Sequence, residues 1–215
     1  QLVIVCALAD PPPRTRLIDR FLVAAYDAGL DPLLCLTKSD LAPPDEILAA
    51  YQPLGLRHVV TGRGPGGEVT PGPLAGELAG LLSVLVGHSG VGKSTLVNTL
   101  IPAAERAVGT VSPVTGRGRH TSSSAVAFRL PGGGWIIDTP GLRGFGLGHI
   151  SADRVIEAFP DLAAGVAACP KGCTHLGEGC GLDEWVAEQD SSGALAARLD
   201  SLRRLLASRE DSELG

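Results

Sequence analysis

The chain of 215 residues and 22.0 kDa is long enough for one α/β domain and a small appendage. Its 44% apolar and 19% charged residues exclude a disordered tail, and its net charge of −5 excludes a strongly basic nucleic-acid binder while leaving room for local basic patches. No apolar run reaches the ~18 residues of a membrane span, the opening Gln1-Leu2-Val3-Ile4-Val5 lacks the basic flank of a signal peptide, and five cysteines are too few for a disulfide scaffold. The sequence has no Met and starts inside an apolar run, so a further segment upstream is expected. Its 29 glycines and 16 prolines predict many tight turns.

In chain order, residues 2–8 form a continuous apolar run that predicts a buried strand. Leu17, Phe21, Ala24, Ala25 and Ala28 then recur at helical spacing over 14–29. Pro32 opens a second buried strand, Leu33-Leu34-Cys35-Leu36, and Pro43 and Pro44 suit the start of a helix carrying Ile47, Leu48 and Tyr51. A third strand is expected at 56–60, a Gly/Pro-rich loop at 62–73, a helix at 74–81, a strand at Val84-Leu85-Val86 and a helix at 94–101. Residues 102–124 show little periodicity and predict a long loop. Strands at 125–130 and 135–138 are joined by Pro131-Gly132-Gly133-Gly134 as a hairpin. Strands alternating with helices argue for a mostly parallel sheet covered on both faces. From Ser151 the pattern changes to short helices, a Cys/His cluster and a last helix with Leu195, Leu199, Leu202, Leu205 and Leu206 on one face.

Four groups of residues carry chemistry. Gly87-His88-Ser89-Gly90-Val91-Gly92-Lys93-Ser94-Thr95 fits G-x-x-x-x-G-K-[ST] between a predicted strand and a predicted helix, the setting that motif requires. Its glycines let backbone N–H groups wrap phosphates, Lys93 reaches the β- and γ-phosphates, and Ser94 ligates Mg²⁺. Asp138-Thr139-Pro140-Gly141 follows the apolar Trp135-Ile136-Ile137. A strand-end Asp supporting Mg²⁺ and a glycine N–H on the γ-phosphate complete such a site. Thr37-Lys38-Ser39-Asp40 ends an apolar strand. Asp40 can accept from guanine N1–H and its N2 amine together, a pair adenine lacks, while the Lys38 stem lies along the base and Thr37 completes the motif. Cys169, Cys173, His175 and Cys180 offer three thiolates and an imidazole, a closed tetrahedral set that argues for structural rather than catalytic zinc. Cys6 and Cys35 lie in apolar runs and read as core.

The order is unusual, because the guanine-reading residues precede the phosphate loop instead of following it. The same sheet forms if the old termini are joined and the chain is cut elsewhere, since the loops keep their places at the carboxyl ends of the strands. The expected fold class is α/β: a circularly permuted P-loop GTPase domain over residues 1–150, with a small, mostly helical zinc domain over 151–215.

Taken together, TKSD, GHSGVGKST, GRGRHTSSS, DTPGLRGFGL and the Cys/Cys/His/Cys cluster resemble the ribosome small-subunit-dependent GTPase A (RsgA) family over nearly the whole chain. The resemblance implies a cytoplasmic bacterial GTPase that binds the 30S subunit and its 16S rRNA late in assembly and hydrolyses GTP to GDP when stimulated by it. It also implies an N-terminal OB-fold domain, which has no counterpart in this chain. Zn²⁺ and Mg²⁺ are the implied metals, with a monomeric protein and no membrane association. The chain departs from the family in three places: Thr37 stands where Asn is usual, the Cys/His spacing is one residue tighter in each longer gap, and the switch segment reads His120-Thr121-Ser122-Ser123 where His-Thr-Thr-Thr is common. Either Thr121 or Ser122 is then the second Mg²⁺ hydroxyl. Many GTPases orient the attacking water with a Gln after D-x-x-G, but here Leu142 stands there, so by analogy with the family His120 is the candidate catalytic residue. Arg117, Arg119 and Arg143 are available to neutralise phosphate charge. The competing readings are a permuted GTPase serving the large subunit, a nucleotide-gated binding module that scarcely hydrolyses GTP, and an ATPase in which Asp40 does not read the base.

Overall fold

A parallel strand covered on both faces must be apolar at nearly every position. Strand β1 (Leu2–Ala7) is buried throughout, and β2 (Pro32–Thr37) is buried at all but its first residue. The computed structural model describes residues 1–101, 108–109, 126–139, 150–177, 179–190 and 193–213. Between and after these strands come α1 (Thr15–Asp27), α2 (Asp45–Tyr51), β3 (His58–Val60), β4 (Gly62–Arg63), β5 (Val69–Thr70), α3 (Leu74–Leu78), β6 (Leu82–Val86) and α4 (Lys93–Leu100). The edge of the sheet is built by β7 (Val108–Gly109), β8 (Val126–Arg129) and β9 (Trp135–Asp138).

The main sheet has seven strands in the order β3-β2-β1-β6-β9-β8-β7. The pairs from β3 through β9 are parallel, and β8 runs antiparallel to both β9 and β7. Side chains alternate across the sheet with a period of two. Val3, Val5 and Ala7 face Leu74 and Leu78 of α3 and Leu96 and Leu100 of α4. Leu2, Ile4 and Cys6 face Ile18, Phe21 and Leu22 of α1 and Ile47 of α2.

Three boundaries differ from the sequence reading. Residues 62–73, expected as plain loop, contain the β4–β5 hairpin, in which Gly62 pairs with Thr70 and Arg63 with Val69. The helix expected over 74–81 stops at Leu78, because Ala79 is extended and Gly80 adopts φ +73°. Strand β6 starts at Leu82, earlier than its most apolar residues indicate, since Leu82 pairs with Trp135. Of the loop expected over 102–124, only Val108 and Gly109 fall among the described residues, and they pair with β8.

From Ile150 onward the chain builds a separate apolar cluster out of α5 (Ala152–Glu157), a turn at Pro160–Leu162, α6 (Ala163–Val166), α7 (Gly181–Gln189) and α8 (Ala194–Glu213). Ser151 caps α5 by accepting from Arg154 N at 3.3 Å. Val23 of α1 belongs to this cluster too, so the C-terminal lobe packs on the outer side of α1.

That joint contains a buried charge network. Arg198 of α8 donates from Nη1 to Asp19 Oδ1 of α1 at 2.5 Å and from Nε to Asp161 Oδ2 at 2.9 Å. The three side chains are only 6%, 3% and 2% exposed, so water does little to screen them. Tyr51 OH donates to Asp19 Oδ1 at 3.0 Å, and Ser201 Oγ donates to Asp19 Oδ2. The guanidinium lies 4.2 Å from the Phe159 ring centroid and 5.7 Å from that of Tyr51. Burial raises the Asp19 pKa, and Arg198 opposes that rise. Replacing Arg198 by Ala strands two buried carboxylates, and urea denaturation should show a loss of about 3–5 kcal/mol. A loss below about 1 kcal/mol would mean that the joint does not hold the lobes together.

Candidate nucleotide pocket and metal centre

The chain leaves β1 toward β2 and leaves β6 toward β9, in opposite directions across the sheet. The crevice beyond the carboxyl ends of β1 and β6 is therefore the topological switch point, where open α/β sheets bind ligands. Residues 87–92 fill the turn from β6 to α4 at this crevice. Gly87 has to be glycine, because a Cβ there would lie 2.4 Å from Val5 O of β1. Gly92 caps α4 with φ +100°, so the helix N-terminus opens onto the loop. Lys93 is buried, and its Nζ donates to Gly87 O at 2.5 Å and His88 O at 3.1 Å, which draws the loop around its own cation. His88 Nδ1 donates to Ser89 O at 2.7 Å. Val91 packs into the core, while Ser89, Gly90, Ser94 and Thr95 are exposed toward the crevice side of the loop and the first turn of α4.

The base end lies one strand beyond. A cavity of about 330 Å³ is lined by Thr37, Lys38, Asp40, Thr61, Gly62, Arg63, Val69, Gly92 and Thr95, among others. Thr37, Lys38 and Asp40 thus share one cavity with Gly92 and Thr95, although the sequence separates them. Thr37 is buried, and its hydroxyl donates to Val91 O at 2.6 Å, tying the end of β2 to the phosphate loop. Lys38 adopts φ +61°, and its Nζ donates to Asp10 O. Asp40 Oδ1 accepts from Arg63 N at 2.9 Å, which fixes the carboxylate at the pocket wall. Gly62 permits this approach, since a Cβ there would fall 2.4 Å from Ser39 Oγ. Asp10, Thr61, Gly62, Arg63 and Val69 were not singled out from sequence. The signal that points to Thr61–Arg63 is their position just after β3, in which Val59 is buried, at the carboxyl edge of the same sheet.

Asp138 ends β9, in register with Leu85 of β6, the strand that leads into the phosphate loop. Burial raises its pKa and Lys93 opposes the rise; burial lowers the Lys93 pKa and Asp138 opposes that. Asp138 Oδ1 is buried and has no hydrogen-bond partner among the described residues. A carboxylate oxygen left unpaired near Lys93, with the Ser94 hydroxyl next along α4, fits a divalent cation. His120, Thr121, Ser122, Gly141, Leu142, Arg117, Arg119 and Arg143 lie outside the described residues.

The second site is in the C-terminal lobe. The ligand atoms of Cys169, Cys173, His175 and Cys180 all lie within 4.8 Å of one another. Cys169 and Cys180 sulfurs are 3.7 Å apart, and His175 Nδ1 is 3.4 Å from Cys169 Sγ and 3.7 Å from Cys180 Sγ. A tetrahedron with ~2.3 Å metal–sulfur bonds has edges near ~3.8 Å, so the four atoms fit one zinc ion. Burial, followed by Arg203, lowers the His175 pKa and favours the neutral imidazole that ligates metal. Burial pushes the Cys180 thiol up to about 11, so three thiolates packed this closely need a cation among them.

A family model described as RsgA GTPase matches residues 1–148. The chain belongs to the RsgA GTPase family. Curated relatives named Small ribosomal subunit biogenesis GTPase RsgA include one from Pseudomonas aeruginosa (strain LESB58), 40% identical over 99% of this chain, and one from Ectopseudomonas mendocina (strain ymp), 42% identical over 99%. The chain spans 63% of the length of each. Among solved structures, YjeQ from Thermotoga maritima superposes with a TM-score of 0.69 at 26% identity, covering 96% of this chain and 71% of that one. YloQ, described as a circularly permuted GTPase, superposes at 0.70 and 24% identity over 99% of this chain and 68% of its own, a likeness of fold. The permuted α/β architecture is thus shared with RsgA relatives.

Metal analysis of the purified protein should find one zinc per chain, and Cys173→Ser should lower both the occupancy and the thermal midpoint. Protein free of zinc, with an unchanged midpoint in Cys173→Ser, would remove the structural role of the cluster.

Proposed function

We propose that this chain binds GTP with Mg²⁺, hydrolyses it to GDP and phosphate, and does so as a cytoplasmic monomer on the 30S ribosomal subunit during its maturation. The observation that carries the reading is the single cavity lined at once by Lys38 and Asp40 and by Gly92 and Thr95 of the phosphate loop. The relatives' name, Small ribosomal subunit biogenesis GTPase, supports the choice of subunit. Among the described residues no helix is long and apolar enough to cross a membrane.

Asp40 reads guanine, Lys38 covers the base, and Thr37 holds the base end to the phosphate loop. Residues 87–92 and Thr95 wrap the phosphates with backbone N–H groups, and Lys93 exchanges its carbonyl partners for the β- and γ-phosphates. Ser94, Asp138 and either Thr121 or Ser122 hold the Mg²⁺, which when bound neutralises phosphate charge. Gly141 N–H meets the γ-phosphate. His120 orients the attacking water, because Leu142 cannot hydrogen-bond to it. Residues 1–150 act as the GTPase domain. Residues 151–215 act as a zinc-stabilised lobe, and contact with 16S rRNA uses local basic patches, as the net charge of −5 requires.

The test is GTP turnover alone and with purified 30S or 50S subunits. Stimulation by 30S only, lost in His120→Ala with nucleotide binding retained, is the expected result. Stimulation by 50S would reassign the protein to the large subunit. Tight GTP binding without stimulation by either would make it a nucleotide-gated binding module.

A further inference from the structure

Two arginines on α8 reach in different directions. Arg203 donates from Nε to His175 O at 3.1 Å and from both terminal nitrogens to the Asp183 carboxylate at 2.8 Å each. It thereby grips the backbone of a zinc-cluster residue and ties it to α7. Less than two turns earlier on the helix, Arg198 enters the buried pocket of Asp19 on α1. Asp19 in turn accepts from Tyr51, whose single hydroxyl proton is shared between Asp19 and Thr15 O at the start of α1, each 3.0 Å away. The segment just before α1 carries Asp10, which lines the base cavity and accepts from Lys38 Nζ. The Cys₃His cluster is therefore joined through Arg203 and the α8 backbone to the buried Arg198–Asp19 pair, and Asp19 sits on α1, whose first residue is five positions along the chain from Asp10 at the cavity wall.

We propose that α8 couples the two sites: zinc occupancy stabilises the nucleotide-binding sheet and raises nucleotide affinity, and bound nucleotide raises zinc affinity in return. The physical cause is that Arg198 cannot leave alone. If the metal is lost and the lobe loosens, the helix that neutralises Asp19 loosens with it, and the α1 surface around Val23 loses its apolar cover. Thermodynamic linkage then requires the effect to be reciprocal. The nucleotide half of the proposal rests on the GTP-binding reading above, while the stability half does not.

The chain has two tryptophans, one in each unit: Trp135 on β9 of the main sheet and Trp185 on α7, packed against the C-terminal cluster. Trp185→Phe and Trp135→Phe variants report the unfolding of the sheet and of the lobe separately. Stripping zinc with a chelator should lower the urea midpoint read by Trp135 by about 1 M, in step with the midpoint read by Trp185. Arg203→Ala, partly exposed and so tolerant of change, should cut the Trp135 shift to less than half. In zinc-loaded and stripped protein, a fluorescent GDP analogue should bind about ten-fold more weakly after stripping. A Trp135 midpoint that stays fixed while the Trp185 midpoint falls would overturn the coupling, as would equal nucleotide affinity with and without zinc. Zinc-loaded protein that binds no guanine nucleotide would overturn the functional reading and the nucleotide half together, and the Trp135 shift would still decide the stability half.

Discussion

Strand β1 holds the two halves of the pocket together. It pairs along its whole length with β2, which ends in Thr37 and delivers Lys38 and Asp40, and on its other edge with β6, which ends at Val86 and delivers the phosphate loop. Parallel pairing fixes the spacing between those strand ends at about two inter-strand distances of ~4.8 Å. The hydroxyl of Thr37 closes the same gap above the sheet by bonding to Val91 O. The site thus needs the order of strands in space, and it tolerates a changed order along the chain. This is why permutation preserves it.

The C-terminal lobe has a different physical basis. All of its helices but α8 are short, and its cluster borrows Val23 from α1. Two features compensate for the small core: a four-residue Cys/His cluster that could hold a metal, contacted by Arg203 midway along α8, and a buried Asp–Arg–Asp network nearer the start of that helix. Zinc in such a cluster contributes folding free energy directly. The charge network contributes less net stability than its geometry suggests, because desolvation opposes it, but it defines one docking geometry for the lobe against α1. Bidentate pairing of Arg203 with Asp183 joins α8 to α7 close to the zinc cluster.

Much of this was legible in the sequence. Buried parallel strands write themselves as unbroken apolar runs, and residues 2–8 and 33–36 are such runs. The phosphate loop is local, so glycine spacing and Lys93 announce it, and the Cys/His cluster is likewise contained in a short span. What was not legible depends on contacts between distant residues. The β4–β5 hairpin is two residues deep on each side, too short for periodicity, and it is placed by Asp40 accepting from Arg63 N. Asp19 reads as an ordinary polar residue on an amphipathic helix, because its partner Arg198 is on the last helix of the chain. Thr37 reads only as the first residue of a base-contacting motif, standing where Asn is usual, whereas its hydroxyl bonds to the loop at Val91 O, a contact that only the closed sheet creates. The end of α3 at Leu78 follows from Gly80 entering the left-handed region, and Gly80 itself is held by a bond from its N–H to Gly133 O in the β8–β9 hairpin.

In the proposed function, one pocket reads guanine at Asp40 and grips phosphate at residues 87–95. It is tested most directly by displacement of a fluorescent GDP analogue with GDP, ADP and xanthosine diphosphate, in the unaltered protein and in Asp40→Asn. Recognition of guanine by Asp40 requires displacement by GDP, none by a ~100-fold excess of ADP, and a switch of preference toward the xanthine nucleotide in the variant, in line with the roughly 1–3 kcal/mol of a bidentate base contact. Displacement by ADP as effective as by GDP, or a guanine preference unchanged in Asp40→Asn, would contradict it.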